Sequence, residues 1–234
     1  MSSKIALITG GNRGIGFAVC KSLKDQGHTV ILTSRNIKEG KAAAKQLGVE
    51  FCQLDITKEP SRIQCKKFIE KKFNRLDILI NNAGVYFDNP DPNVYEAPAF
   101  ETTISNLKKT LEVNTIAPFR LCQLFIPLMQ KYNYGRIVNV SSIYGQLSSM
   151  QEGDPAYRIS KTALNAVTKI FAAETKGNNI LINSVHPGWV KTRMGGSNAD
   201  LTPEQGADTI IWAATLPDNG PSGKFFYQRK EIEW

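Results

Sequence analysis

Short apolar runs alternate with amphipathic stretches along almost the whole chain. Residues 4–9 (KIALIT) are a brief apolar run ahead of glycines and are expected to form a buried strand. Residues 14–26 carry Ile15, Ala18, Val19 and Leu23 at helical spacing. The β-branched run 28–34 predicts a second strand, the Ala- and Lys-rich stretch 37–47 a helix, and 49–54 a third strand. An amphipathic helix with Pro60 near its start is expected over 59–73, and a fourth strand over 76–81. A Pro- and Asn-rich loop, 88–98, interrupts the rhythm. It resumes with a long helix over about 102–130, bent at Pro118 and Pro127, and a strand over 136–141. Helix 156–176, strand 180–185, helix 203–214 (capped by Thr202, opened by Pro203) and a last strand over 224–228 complete the series. Such alternation predicts an α/β fold: a doubly wound parallel sheet of about seven strands with helices on both faces, in a single domain spanning 1–234. In such sheets ligands bind beyond the carboxyl ends of the strands, at the switch point.

Composition narrows the function. Cys20, Cys52, Cys65 and Cys122 form no CxxC pair, so no metal is expected and buried free thiols are. The N-terminal apolar run is too short for a signal peptide, and 116–129 is broken by Arg120, Gln123 and two prolines. A cytoplasmic protein without membrane contact is expected. The net charge of +8 raises nucleic acid as a partner. The lysines are scattered, however, and the one cluster, Lys66, Lys67, Lys71 and Lys72, falls on a helix-like stretch and reads as a solvated face.

The first strand runs into Thr9-Gly10-Gly11-Asn12-Arg13-Gly14-Ile15-Gly16 and then a helix. Glycines there let the backbone turn tightly and approach a pyrophosphate, which the free N–H groups of the helix start would hold. A dinucleotide site that takes NAD has an acid at the end of the second strand for the ribose 2′-hydroxyl. Here that position reads Thr33-Ser34-Arg35-Asn36. Arg35, Arg13 and the nearby Lys38 suit a 2′-phosphate instead, and NADPH is the expected cofactor.

Tyr157 and Lys161 form a YxxxK pair on one helix face. An ammonium beside a phenol favours phenolate and moves the tyrosine from about 10 toward the operating pH, which takes roughly 4 kcal/mol for about three pH units. His28 and His186 are the only histidines, no acid or cysteine is expected to pair with either, and Asp77 reads as a turn residue.

Taken in order, TGxxxGxG at 9–16, Asn81-Asn82-Ala83-Gly84, Asn114, Ser141-Ser142, YxxxK at 157–161, Pro187-Gly188 and Thr192 resemble the short-chain dehydrogenase/reductase family from residue 4 to about 228. GNRGIG, LTSR and the ending GPSGKFFYQRKEIEW look most like its carbonyl reductase and menthone/neomenthol reductase subgroup. The resemblance implies reduction of a small-molecule carbonyl. Tyr157 gives a proton to the carbonyl oxygen, Ser142 (rather than Ser141) bonds that oxygen, Lys161 tunes the phenol and holds ribose hydroxyls, and Asn114 holds a water in a proton relay. It implies a cofactor site of Gly10, Asn12, Arg13, Gly14, Ile15, Gly16, Arg35, Asp55, Ile56, Asn81, Ala83, Gly84, Tyr157, Lys161, Pro187, Gly188, Val190 and Thr192, with Val185 beside the nicotinamide. Ile143, Tyr144, Trp189 and Met194, with Gln146, Tyr86 and Phe87, would bound an apolar substrate pocket suited to a lipophilic ketone, aldehyde or quinone, under a mobile segment from Arg193 to Leu201.

The subgroup carries a long insertion between the serine and the tyrosine, whereas Ser142 and Tyr157 here lie 15 residues apart. A more open pocket, and a Tyr157 helix free to pack in a homodimer or homotetramer, are expected. Two other readings compete: a non-catalytic dinucleotide-sensing protein on the same fold, and a nucleic-acid binder. Retention of Ser142, Tyr157 and Lys161 speaks against the first.

Overall fold

A computed structural model describes residues 3–88 and 97–234. The expected loop falls largely on residues 89–96, outside the described residues. The strands β1 (Ile5–Ile8), β2 (Thr29–Ser34), β3 (Glu50–Gln53), β4 (Ile78–Asn81), β5 (Gly135–Val140), β6 (Ile180–Val185), β7 (Phe225–Tyr227) and β8 (Lys230–Ile232) form one sheet in the order β3-β2-β1-β4-β5-β6-β7-β8. All neighbours pair in parallel except β7 and β8. The chain winds outward from β1 to β3, then returns to lay β4 on the other side of β1, so the switch point lies between β1 and β4.

Side chains alternate across the sheet, as a period of two requires. Ala6, Ile8, Val30, Leu32, Ile78 and Ile80 point to one core, closed by α1 (Gly14–Asp25), α2 (Ile37–Leu47) and α7 (Pro203–Ala214). Leu7, Ile31, Leu79 and Ile137 point to the other, closed by α3 (Glu59–Phe73), α5 (Ala117–Lys131) and α6 (Pro155–Glu174). The result is a three-layer α/β Rossmann-like sandwich. Among the described residues no helix is long and apolar enough to cross a membrane.

Two features depart from expectation. The chain has an eighth strand: β7 turns back into β8 through Gln228 (φ 48) and Arg229 (φ 61), two left-handed residues in succession, the pattern of a tight hairpin. The long helix is not one bent helix. It consists of α4 (Ile104–Leu111), a π turn at Glu112–Ile116, and α5, with Pro118 in the first turn of α5 and Pro127 inside it. A residue lacking an N–H is tolerated at a helix start, so the widened turn precedes Pro118.

Candidate active site

A cleft of about 1100 Å³ opens at the carboxyl ends of the strands. The turn after β1 forms its floor. Gly10 has φ 65, in the left-handed region. At Gly16 a Cβ would lie 2.4 Å from Gly10 O and 2.5 Å from Asn82 Nδ2, so only glycine lets α1 start this close to the turn. Asn82 closes the turn from β4, donating to Thr9 O at 2.8 Å, while Thr9 Oγ1 accepts from the Asn82 and Ala83 N–H groups. The start of α1 has no side-chain cap and no acidic residue in its first turn, which leaves backbone N–H groups facing the cleft.

The outer rim is cationic. Arg13, Arg35 and Arg193 all line the cleft. Burial, and then the charges of Arg193 and Arg35, lower the Arg13 pKa, while Glu39 opposes them. Glu39 also stands at this rim, where its carboxylate accepts from Asn12 Nδ2 at 2.9 Å. Arg13, Arg35, Arg193 and Lys191 outnumber the carboxylates of Glu39 and Asp55 along this lining and leave a net positive site.

At the other end Tyr157 sits beside Ser142. Its ring is flanked edge-on by Tyr86 and Tyr144, with centroids 5.7 and 6.1 Å away. Lys161 is buried, donates from Nζ to Val140 O at 2.8 Å, and has Nζ 5.5 Å from the Tyr157 ring centre. Burial pushes the phenol up to about 12, against a hydrogen bond with Ser142 that pulls it down. Burial pushes the lysine down to about 8. Desolvation therefore dominates the phenol, and the one group that lowers it is Ser142, not Lys161.

The cleft brings together Gly10, Asn12, Arg13, Gly14, Ile15, Gly16, Arg35, Asp55, Ile56, Ala83, Gly84, Tyr157, Lys161, Pro187, Gly188, Val190 and Thr192, together with Ser142, Ile143, Tyr144, Trp189, Met194 and Tyr86. Asp55 also accepts from Thr57 N and Oγ1. Other expected residues do not line the cleft. Asn81 is buried beneath the cleft, donating to Asn139 Oδ1 at 2.8 Å; its neighbour Asn82 is the cleft residue. Asn114 lies behind the wall, where it exchanges two 2.9 Å bonds with the backbone of Val85 and donates to Ser160 Oγ. Val185 is in the core. Gln146 turns away to donate to Glu233 O. Phe87 and Lys38 are exposed outside the cleft.

Sequence reasoning missed Asn82, Val85, Glu39, Arg193 and His186 as lining residues. Burial holds His186 down to about 4, and its ring lies against Tyr227, so it is neutral. The segment from Arg193 to Leu201 folds onto itself: at its base Lys191 N donates to Leu201 O and Leu201 N to Trp189 O, and Trp189 Nε1 donates to Gly195 O at 2.9 Å.

This fold and this cleft define an oxidoreductase scaffold, and the chain belongs to the short chain dehydrogenase family, which it matches over residues 4–201. It is 34% identical over 308 residues to (+)-neomenthol dehydrogenase of Capsicum annuum (99% of this chain, 97% of that one). It is 32% identical over 286 residues to Carbonyl reductase [NADPH] 1 of Sus scrofa (100% and 95%). Both spans exceed the 234 residues of this chain, so these relatives carry residues it lacks. Among solved structures, the carbonyl reductase Sniffer of D. melanogaster superposes with a TM-score of 0.88 at 30% identity, covering 100% of both chains. An NADPH-bound carbonyl reductase from chicken fatty liver superposes with 0.86 at 26%, again covering 100% of both.

Substitution of Gly16 by Ala forces the Gly10 carbonyl and Asn82 apart. A loss of about 2 kcal/mol in denaturant unfolding is expected; an unchanged midpoint would mean that the turn is not packed this tightly.

Proposed function

We propose that this protein is an NADPH-dependent carbonyl reductase acting on a lipophilic ketone, aldehyde or quinone, with Tyr157 as proton donor. The observation that carries the reading is the meeting of Ser142, Tyr157 and Lys161 at one end of a cleft whose other end is an open helix start rimmed by three arginines.

The residues present fit the cofactor. Uncapped N–H groups of α1 and the Gly10–Gly16 turn suit a pyrophosphate, and Gly14 lies under Thr192. Arg13 and Arg35 suit a 2′-phosphate, and the net charge of the rim favours it despite Glu39. When bound, NADPH supplies the hydride that adds to the carbonyl carbon. Ser142 Oγ and the Tyr157 hydroxyl would donate to the carbonyl oxygen as negative charge grows there. Tyr157 then passes its proton to that oxygen and the product is an alcohol. A phenol held near 12 is fully protonated at neutral pH, the state a donor needs. Tyr86, Tyr144, Ile143, Trp189 and Met194 give the reacting end an apolar wall, which supports a lipophilic substrate. Four free buried thiols agree with a reducing, cytoplasmic setting.

The outer face of α6 supports self-association. Ile159 and Ile170 are half exposed there, with Ala166 and Ala173 in line between and beyond them. Light scattering should give a dimer or tetramer, and Ile170→Glu a monomer; a wild-type monomer would end this part of the reading.

The function is tested by following cofactor oxidation over a panel of aromatic, alicyclic and quinone carbonyls with NADPH and with NADH. Turnover is expected with NADPH and much less with NADH. Equal efficiency with the two would remove the 2′-phosphate assignment, and no turnover on any carbonyl would remove the reductase assignment. A pH profile adds a sign. Lys161 titrates near 8, below its ordinary value, so its charge is present below pH 8 and lost above it. Reductive kcat/KM should be level from pH 6 to 7 and fall as pH rises through 8, with the falling limb moved upward in Lys161→Arg. A profile that is level to pH 10 would contradict a role for that charge.

A further inference from the structure

The helix that carries Tyr157 has no cap of its own. Asp154, the residue before it, lies in the left-handed region at φ 50 and ψ 47, and its side chain makes no cap bond. The first-turn N–H groups of Ala156 and Tyr157 find a partner elsewhere in the chain. Ala156 N donates to Asp88 Oδ1 and Tyr157 N to Asp88 Oδ2, each at 2.8 Å. A second tie runs the other way. Asp154 Oδ1 accepts from the Tyr86 hydroxyl at 2.6 Å and from Ala97 N at 3.1 Å. Two carboxylates thus brace one joint, one reaching from the loop to the helix and one from the helix to the loop.

That loop is also a wall of the site. Val85 and Tyr86 line the cleft, Tyr86 stands edge-on to Tyr157, and Asn114 grips Val85 from behind. The bond from Tyr157 N to Asp88 acts on the backbone of the very residue whose phenol faces the cleft. A forked carboxylate takes two N–H groups at once, and its charge suits the positive end of a twenty-residue helix.

We propose that Asp88 is a positioning residue for Tyr157: it registers the first turn of α6 against the Val85–Tyr86 wall, so that the proton donor and the substrate wall keep one geometry. The proposal rests on the reductase reading. Asp88 is not among the residues that line the cleft, so its effect belongs in kcat and not in cofactor binding. A proton donor works within about 3 Å of its acceptor, and a misplacement of about 1 Å can cost on the order of 100-fold.

The test compares Asp88→Ala and Asp88→Asn with the wild-type full chain. It reads kcat and KM for the best carbonyl of the panel, NADPH affinity by fluorescence, and amide hydrogen exchange at residues 155–159. Asp88→Ala should lower kcat by about 10- to 100-fold, leave NADPH affinity unchanged, and lose protection at Ala156 and Tyr157. Asp88→Asn keeps one acceptor oxygen and should recover part of the kcat. Unchanged kcat, unchanged protection at 156–157, or a loss seen equally in NADPH affinity would overturn the proposal. If the wild type turns over no carbonyl, the reductase reading falls by itself. The exchange data still decide the brace: retained protection in Asp88→Ala overturns it, and lost protection upholds Asp88 as what fixes Tyr157.

Discussion

One buried ammonium ties the Tyr157 end of the cleft to the sheet. Lys161 Nζ donates to the carbonyl of Val140, the last residue of β5, with the side chain only 4% exposed. The same strand continues into Ser141 and Ser142, and Gly145 closes against the Lys161 backbone, where a Cβ would lie 2.7 Å from the carbonyl carbon. Ser142 and Tyr157 are therefore held on two sides of a contact that admits no side chain. A charged group in that position is costly, which is why its pKa falls to about 8. The chemistry proposed for the cleft depends on that contact remaining closed.

The glycine-turn end follows a different physical logic. There the constraint is approach: Gly16 and Asn82 hold α1 so near the β1 turn that its free N–H groups face the cleft. Electrostatics comes from residues far apart in sequence. Arg13 stands on the turn, Arg35 after β2, and Arg193 on the loop after β6, and only the doubly wound sheet puts them at one rim. Between the two ends, the loop after β4 serves both, with Asn82 on the glycine turn and Tyr86 and Asp88 on the helix of Tyr157.

Much of this was legible in the sequence because strand–turn–helix grammar is local. The alternation of apolar runs predicted the layers, and the glycine turn and the YxxxK pair fell where a parallel sheet puts ligands. Other residues were misplaced for identifiable reasons. Asn81 and Asn82 differ by one residue at a strand end, and parity along β4 sends Asn81 with Leu79 toward the α5 core. The β7–β8 hairpin turns through Gln228 and Arg229, which lack the Asn or Gly that announces such turns. Gln146 is drawn off by a carbonyl 87 residues away, which no local pattern reveals. Glu39 and Arg193 carry no local signal of the cleft, since only tertiary folding brings them to it. The upward shift of Tyr157 had no sequence signal, because it comes from burial, which sequence does not display, and is opposed only by the Ser142 hydrogen bond.

The central claim is that the proton reaching the substrate comes from the phenol of Tyr157. Its most direct test is Tyr157→Phe, which keeps the ring between Tyr86 and Tyr144 and removes only the hydroxyl. Turnover of a carbonyl with NADPH and affinity for NADPH are measured on the same protein. The account predicts that turnover falls by at least about 100-fold while affinity stays within about twofold. Turnover near that of the wild type would contradict it and return the proton to solvent or to another group in the cleft.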